Sequence, residues 1–189
     1  MSFGAWSDGW LSRARHSPSP NFGPRPPGSD VDLIVVHSIS LPPGVFVGSA
    51  IERLFANSLD FDEHPAYDAI RGLQVSAHFL LRRSGELVQF VSCDDRAWHA
   101  GESTWRGRSG CNDYSVGIEL EGLAGGAFEG VQYDRLAGLV RDLAARFPIR
   151  DIAGHEHVAP GRKDDPGDGF DWSRLRRSVT RARLRFPPR

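Results

Sequence analysis

The chain has 189 residues, 40% of them hydrophobic, and a formal net charge of −1 at pH 7, which suits one ordinary domain with a real core and gives no general pull toward nucleic acid or an anionic membrane. No apolar run approaches the length that spans a bilayer, and the first ten residues lack the basic and apolar regions of a secretory leader. Two cysteines, Cys93 and Cys111, are too few for a disulfide framework, so the expected location is the cytoplasm.

Residues 1–30 are rich in Ser, Pro and Gly and predict an extended arm rather than a helix. Trp6, Trp10 and Phe22 are expected to pin that arm to the body, which is taken as residues 31–185. Leu33 to Ser40 is β-branched and apolar on both faces, as a central covered strand should be. His37 interrupts this run on the face of Leu33 and Val35, either as a satisfied core histidine or as a ligand at the sheet's edge. Ser49 to Leu59 carries Ile51, Leu54, Phe55 and Leu59 at helical spacing. Val75–Arg83 and Glu86–Val91, joined at Ser84-Gly85, read as a hairpin, and His78 inside its first strand reads as core packing.

Trp98 and His99, on a loop with Gly101, suggest the exposed wall of a ligand groove. In Ser115–Gly122, Val116, Ile118 and Leu120 face one way and Gly117, Glu119 and Glu121 the other. One face is expected against a core, and the other presents two carboxylates to a site or, on an edge strand, to solvent. Val131 to Phe147 predicts a long amphipathic helix closed by Pro148, followed by a short strand over Ile149–Ala153. Asp171 is placed to cap a last helix with Trp172, Leu175 and Val179 inward. Arginines between 174 and 185 are expected on a solvated face rather than on nucleic acid, because no nucleic-acid motif accompanies them. The sum is an α/β chain, with a single domain and a central mixed β-sheet flanked by helices.

The segment His155 to Gly167 holds two histidines, several carboxylates, Arg162 and Lys163, the only lysine of the chain. Pro160 and Pro166 forbid a regular helix through it, so it is expected to be a loop held in one shape. Zinc hydrolysis needs three protein ligands of imidazole, thiolate or carboxylate type with a position left open. It also needs a carboxylate outside that set to move a proton, and a donor for the oxyanion. His37, His155 or His157, and Asp164 or Asp165 can serve the metal. Glu119 can serve the proton and Lys163 the oxyanion. Residue chemistry does not choose within the two pairs.

Five segments taken together resemble the zinc N-acetylmuramoyl-L-alanine amidases, most closely the cytoplasmic AmpD type: Leu33–Gly44, Val75–Leu80, Ala97–Gly101, Cys111–Gly122 and Gly154–Gly167. The resemblance runs in the same order over nearly the whole chain, and the Ala-Pro-Gly-Arg-Lys-x-Asp-Pro-Gly and Cys-Asn-Asp runs are its specific parts. It implies the fold shared with the peptidoglycan recognition proteins. It implies one zinc held by His37, His155 and Asp165, with Glu119 as general base and Lys163 beside the oxyanion. Arg162, Trp98, His99 and Asn112 are the implied substrate contacts. The implied substrate is a 1,6-anhydro-N-acetylmuramyl peptide, cut at the lactyl–L-alanine amide during peptidoglycan recycling. The protein is expected to act as a monomer with no nucleic-acid or membrane partner. A muropeptide-sensing module on the same fold, or a lytic amidase acting on polymeric wall, are the alternatives. Two departures stand out: relatives often carry Arg where this chain has Gln74 and Gly110, positions linked to peptide carboxylates, and Arg106 or Arg108 is the expected substitute.

Overall fold

The computed structural model describes residues 4–188. Its centre is a six-stranded sheet. The strands are β1 (Arg15–His16), β2 (Leu33–Ile39), β3 (Phe79–Leu81), β4 (Leu87–Gln89), β5 (Ser115–Glu121) and β6 (Asp151–Gly154). Their order across the sheet is β6-β2-β5-β3-β4-β1. All pairs are parallel except the β3–β4 hairpin, so the sheet is mixed.

The two faces of β2 and β5 are both covered, which is why β2 has no polar alternation. Ile34, Val36, Val116, Ile118 and Leu120 join a core with Leu136, Leu139, Val140 and Leu143 of the long helix α2 (Gly130–Arg146). Burying each such side chain contributes about 1.5–3 kcal/mol. On the opposite face, Leu33 and Val35 pack with Ala100, Cys111, Tyr114 and Val158. The short helix α1 (Ala50–Phe55) covers the β3–β4 end through Ile51, Leu54 and Phe55 against Leu80, Val88 and Phe90. One turn of helix, α3 (His155–Val158), follows β6 directly, and α4 (Trp172–Ser178) packs near α2, its Asp171 carboxylate accepting from Arg174 N.

Several expectations are corrected by where backbone hydrogen bonds go. The 75–77 stretch leaves the ladder that His78 still makes with Gly117 and Phe90: Ser76 N donates to Trp98 O (3.0 Å), and Val75 O accepts from the Asn21 side chain (2.8 Å). That segment therefore ties the sheet to the 96–98 loop and the arm. The first turn of the 155–167 stretch is helical because Pro160 lies beyond it, and Ala159 N closes it on His155 O (2.9 Å). In the arm, Trp6 packs on Phe147, whereas the Phe22 ring is 45% exposed and that residue is tied down only by its backbone, which pairs with Ala97. The buried anchors are Leu11 and the polar pair Ser19 and Asn21, with Arg25 partly buried beside them. Arg25 donates to the carbonyls of Cys93, Asn112, Asp113 and Ser115, and burial pulls its guanidinium down to about 10. Arg174 and Arg176 lie over the rings of Tyr133 and Phe186, and Arg185 pairs with Asp151.

The acidic face of β5 is not solvated, because β5 is central rather than an edge. Glu121, 2% exposed, receives Arg82 (2.6 Å) and the backbone N–H of Arg83 (3.0 Å), while Arg82 also reaches Glu52 of α1 (2.6 Å). Removing one partner of such a pair leaves a buried charge uncompensated and costs about 3–5 kcal/mol. Arg82→Ala is therefore expected to lose that much in urea unfolding. The double variant Arg82→Met/Glu121→Leu is expected to recover most of it. A loss below about 1 kcal/mol for the single variant would place the pair among solvent-screened ones.

Candidate metal and active site

The site forms at the carboxyl ends of three neighbouring parallel strands, where open α/β sheets place their ligand crevices. His37 lies near the end of β2, Glu119 lies beside it on β5 in direct register, and His155 follows immediately after β6. Asp165 returns to the same point because the loop closes on itself. Glu156 N donates to Asp165 O (2.8 Å), and Gly167 N donates to the Glu156 carboxylate (2.6 Å). Candidate ligand atoms of His37, His155 and Asp165 lie within 4.8 Å of one another. His37 Nδ1 is 3.0 Å from His155 Nδ1 and 3.3 Å from Asp165 Oδ2, and His155 Nδ1 is 3.1 Å from Asp165 Oδ1.

This donor set fits zinc: two imidazoles and one carboxylate converge, which is the three-ligand pattern of catalytic sites. Two ring nitrogens 3.0 Å apart also need something between them, a shared proton or a cation. Burial pulls His37 down to about 4, with His155 adding to the effect, so the ring is neutral and free to ligate at ordinary pH. Burial alone would raise Asp165, but hydrogen bonds from His155 and His37 overcome it and hold the carboxylate well below its usual range.

Glu119 is 8% exposed, and its Oε2 has no hydrogen-bond partner among the described residues. Desolvation, with the Asp165 carboxylate second, raises its proton affinity well above that of an ordinary glutamate, and Lys163 opposes the rise. A buried, unpartnered carboxylate at the edge of a cavity marks a candidate functional group. That cavity, about 220 Å³, is lined by His37, Glu119, His155, Asp165 and Lys163 together with Leu41, Ile70, Leu73 and Trp98. An adjoining lobe of about 330 Å³ shares Ser38, Ile39, Lys163 and Asp165 and adds Ser40, Arg162 and Asp164. The result is one groove across the cluster, apolar on one side and polar on the other, with Lys163 between.

The remaining residues divide. Trp98 is half-buried and lines the apolar lobe. His99 is not an exposed wall: it is 9% exposed and lies behind His37, its Nδ1 2.9 Å from His37 Nε2. Burial, and after it the cationic form of the neighbouring His37, push His99 well below the usual histidine range. Asn112 is buried too, and its side-chain carbonyl accepts from the N–H groups of His99 (3.2 Å) and Ala100 (2.8 Å). In this arrangement Asn112 shapes the loop rather than facing the groove. Arg162 lines the polar lobe, but one of its nitrogens donates to Ala100 O and Glu102 O (2.6 Å each). His157 turns away: its Nδ1 accepts from Gly154 N (3.1 Å), and its ring packs on Trp172.

His78 is a satisfied core histidine, accepting from Gly117 N (3.0 Å) and held against Asp95 O (3.1 Å). Arg106 and Arg108, each about half exposed, pair with Asp151 and Asp32, and neither is among the residues that line the groove. Cys111 is buried beside the Tyr114 hydroxyl (3.3 Å). Among the described residues no helix is long and apolar enough to cross a membrane.

The fold and the cluster at its edge place the chain in a known class, the peptidoglycan amidases. A crystal structure of a selenomethionine AmpD derivative superposes with a TM-score of 0.90 at 48% identity, covering 93% of this chain and 99% of that one. The 1,6-anhydro-N-acetylmuramyl-L-alanine amidase AmpD of Salmonella typhimurium (strain SL1344) is 51% identical over 173 residues, 90% of this chain and 92% of its own. AmiD from E. coli, solved with the substrate anhydro-N-acetylmuramic acid-L-Ala-D-gamma-Glu-L-Lys, is 30% identical with a TM-score of 0.57, over 82% of this chain and 60% of that one. The family described as N-acetylmuramoyl-L-alanine amidase matches residues 27–168. The chain belongs to that family and is an amidase of peptidoglycan metabolism.

Proposed function

We propose that the protein is a zinc-dependent amidase that hydrolyses the lactyl–L-alanine bond of 1,6-anhydro-N-acetylmuramyl peptides in peptidoglycan recycling. The observation that carries this reading is the convergence of His37, His155 and Asp165 beside a buried Glu119 without a partner. The relatives support the substrate class, since they are named for the anhydro sugar and span the same length.

His37, His155 and Asp165 would hold the ion. Zinc bound there lowers the pKa of its water toward neutrality and polarises the substrate carbonyl. Glu119, with its raised proton affinity, accepts the proton of the attacking water and passes it to the L-alanine nitrogen as the amide breaks. Lys163 donates to the carbonyl oxygen as negative charge develops on it. Trp98, Leu41, Ile70 and Leu73 shield one side of the groove from water, while Arg162 and Asp164 give the other side polar character. Atoms balance: one water is consumed, and the products are the muramyl carboxylate and a peptide with a free L-alanine amine. Each chain carries the full residue set, so a monomer suffices.

Metal analysis of His37→Ala tests the ion. The wild type is expected to hold about one zinc per chain, and the variant is expected to lose both zinc and turnover because two donors no longer make a tight site. Full activity in a chelator-stripped, metal-free wild type would refute the reading.

A further inference from the structure

We infer that His99 is a positioning residue for the metal centre: it is the acceptor that holds His37 in the one tautomer able to ligate through Nδ1. The inference rests on the reading of His37 as a ligand. His37 Nδ1 faces His155 and Asp165, so Nδ1 is the nitrogen that would meet the ion. A neutral imidazole ligating through one nitrogen carries its hydrogen on the other, and that hydrogen needs an acceptor. His37 Nε2 is buried and points at His99 Nδ1, 2.9 Å away. His99 accepts there only if its own hydrogen sits on Nε2, and His99 Nε2 is 3.2 Å from Ser115 Oγ.

The serine hydroxyl both accepts and donates, so the row His37–His99–Ser115 has two self-consistent arrangements. In one, each ring donates toward Ser115 and His37 Nδ1 is bare. In the other, every hydrogen bond runs the opposite way and His37 Nδ1 carries the hydrogen, facing Asp165. Binding an ion selects the first. Without His99 the same binding leaves a buried N–H with no acceptor, a cost of the kind that unsatisfied buried donors carry.

The ring's position is built rather than incidental. A Cβ at Gly117 would lie 2.4 Å from His99 Cγ and 2.7 Å from its Nδ1, so glycine at this point of β5 is what admits the ring. The other side is set by Asn112, which grips the N–H groups of His99 and Ala100. The His37 and His99 rings meet edge to face with centroids 5.0 Å apart.

The variants His99→Asn, His99→Gln and His99→Leu separate this role from packing. Asn places its oxygen where Nδ1 stood, Gln places its polar end where Nε2 stood, and Leu offers neither. Zinc affinity, measured by competition with a chromophoric chelator, is expected to fall about 10–100-fold for Leu and Gln and to stay within about threefold of wild type for Asn. Thermal unfolding of each metal-free variant reports whether the fold survives. Independently of any variant, the ¹⁵N spectrum of histidine-labelled zinc protein is expected to show His37 protonated on Nε2, with a correlation across the hydrogen bond to His99 Nδ1. His99→Leu binding zinc as the wild type does, or His37 protonated on Nδ1 in the zinc protein, would overturn the inference while leaving the amidase reading intact. A wild type that binds no zinc would overturn both.

Discussion

Glu119→Gln is expected to reduce turnover by about 10²–10⁴-fold, the usual worth of a positioned general base, with zinc content unchanged. The carboxylate is outside the His37–His155–Asp165 group but in register with His37 on the adjoining strand. It lines the cavity, and its Oε2 meets no donor among the described residues. Gln keeps the shape and loses the proton acceptor. Because a buried carboxylate without a partner disfavours the folded state, the metal-free variant is also expected to melt at or above the wild-type temperature. Lower activity with higher stability is the mark of a residue kept for chemistry. Steady-state rates, metal analysis and thermal unfolding on the same preparations check all three, and a variant that turns over within a few-fold of wild type would remove Glu119 from the mechanism.

Lys163→Ala is expected to lose about 10²–10³-fold in kcat, the cost of one oxyanion donor, with much less change in KM. Lys163 lines both lobes of the groove and is exposed, so the substitution removes a charge from the substrate path and no packing from the core. Unfolding is therefore expected to stay within about 0.5 kcal/mol of wild type, as for other surface changes. Lys163→Arg is expected to recover part of the rate, since it returns a cation of different shape. A loss confined to KM would make Lys163 a ground-state binding residue instead.

How much of this is legible in the sequence follows from which residues speak locally. The double-faced apolar run of β2 and the spaced leucines of α2 predict a covered sheet and its helix, and both are found. The compact, proline-broken segment Gly154–Gly167 signals that its own donors meet, but which histidine and which aspartate do so is given by the resemblance, and the loop closure through Glu156 shows how Asp165 reaches His155. Composition is silent on the join between His37 and His155, 118 positions apart, and there the family resemblance carries the argument. The roles of Arg25 and His99 are not legible at all. An arginine in a Pro-Gly stretch looks solvated until four carbonyls from distant segments are seen around it. A Trp-His pair on a glycine loop reads as two exposed side chains, but Asn112 and the absent side chain of Gly117 turn His99 inward and leave Trp98 at the groove. Both effects depend on backbone contacts that have no periodicity to read. Phe22 shows the converse, an aromatic residue that suggests an anchor and stays exposed, while Leu11 buries instead.

What defines the enzyme is the bond that is cut and the molecule that carries it. Zinc-loaded protein should be given a 1,6-anhydro-N-acetylmuramyl tripeptide and intact sacculi side by side, with products read by mass spectrometry. Rapid release of the anhydro sugar acid and a tripeptide with a free L-alanine amine is expected, with slow attack on sacculi. Preferential digestion of sacculi, or binding of the anhydro-muropeptide without cleavage, would contradict the proposed function.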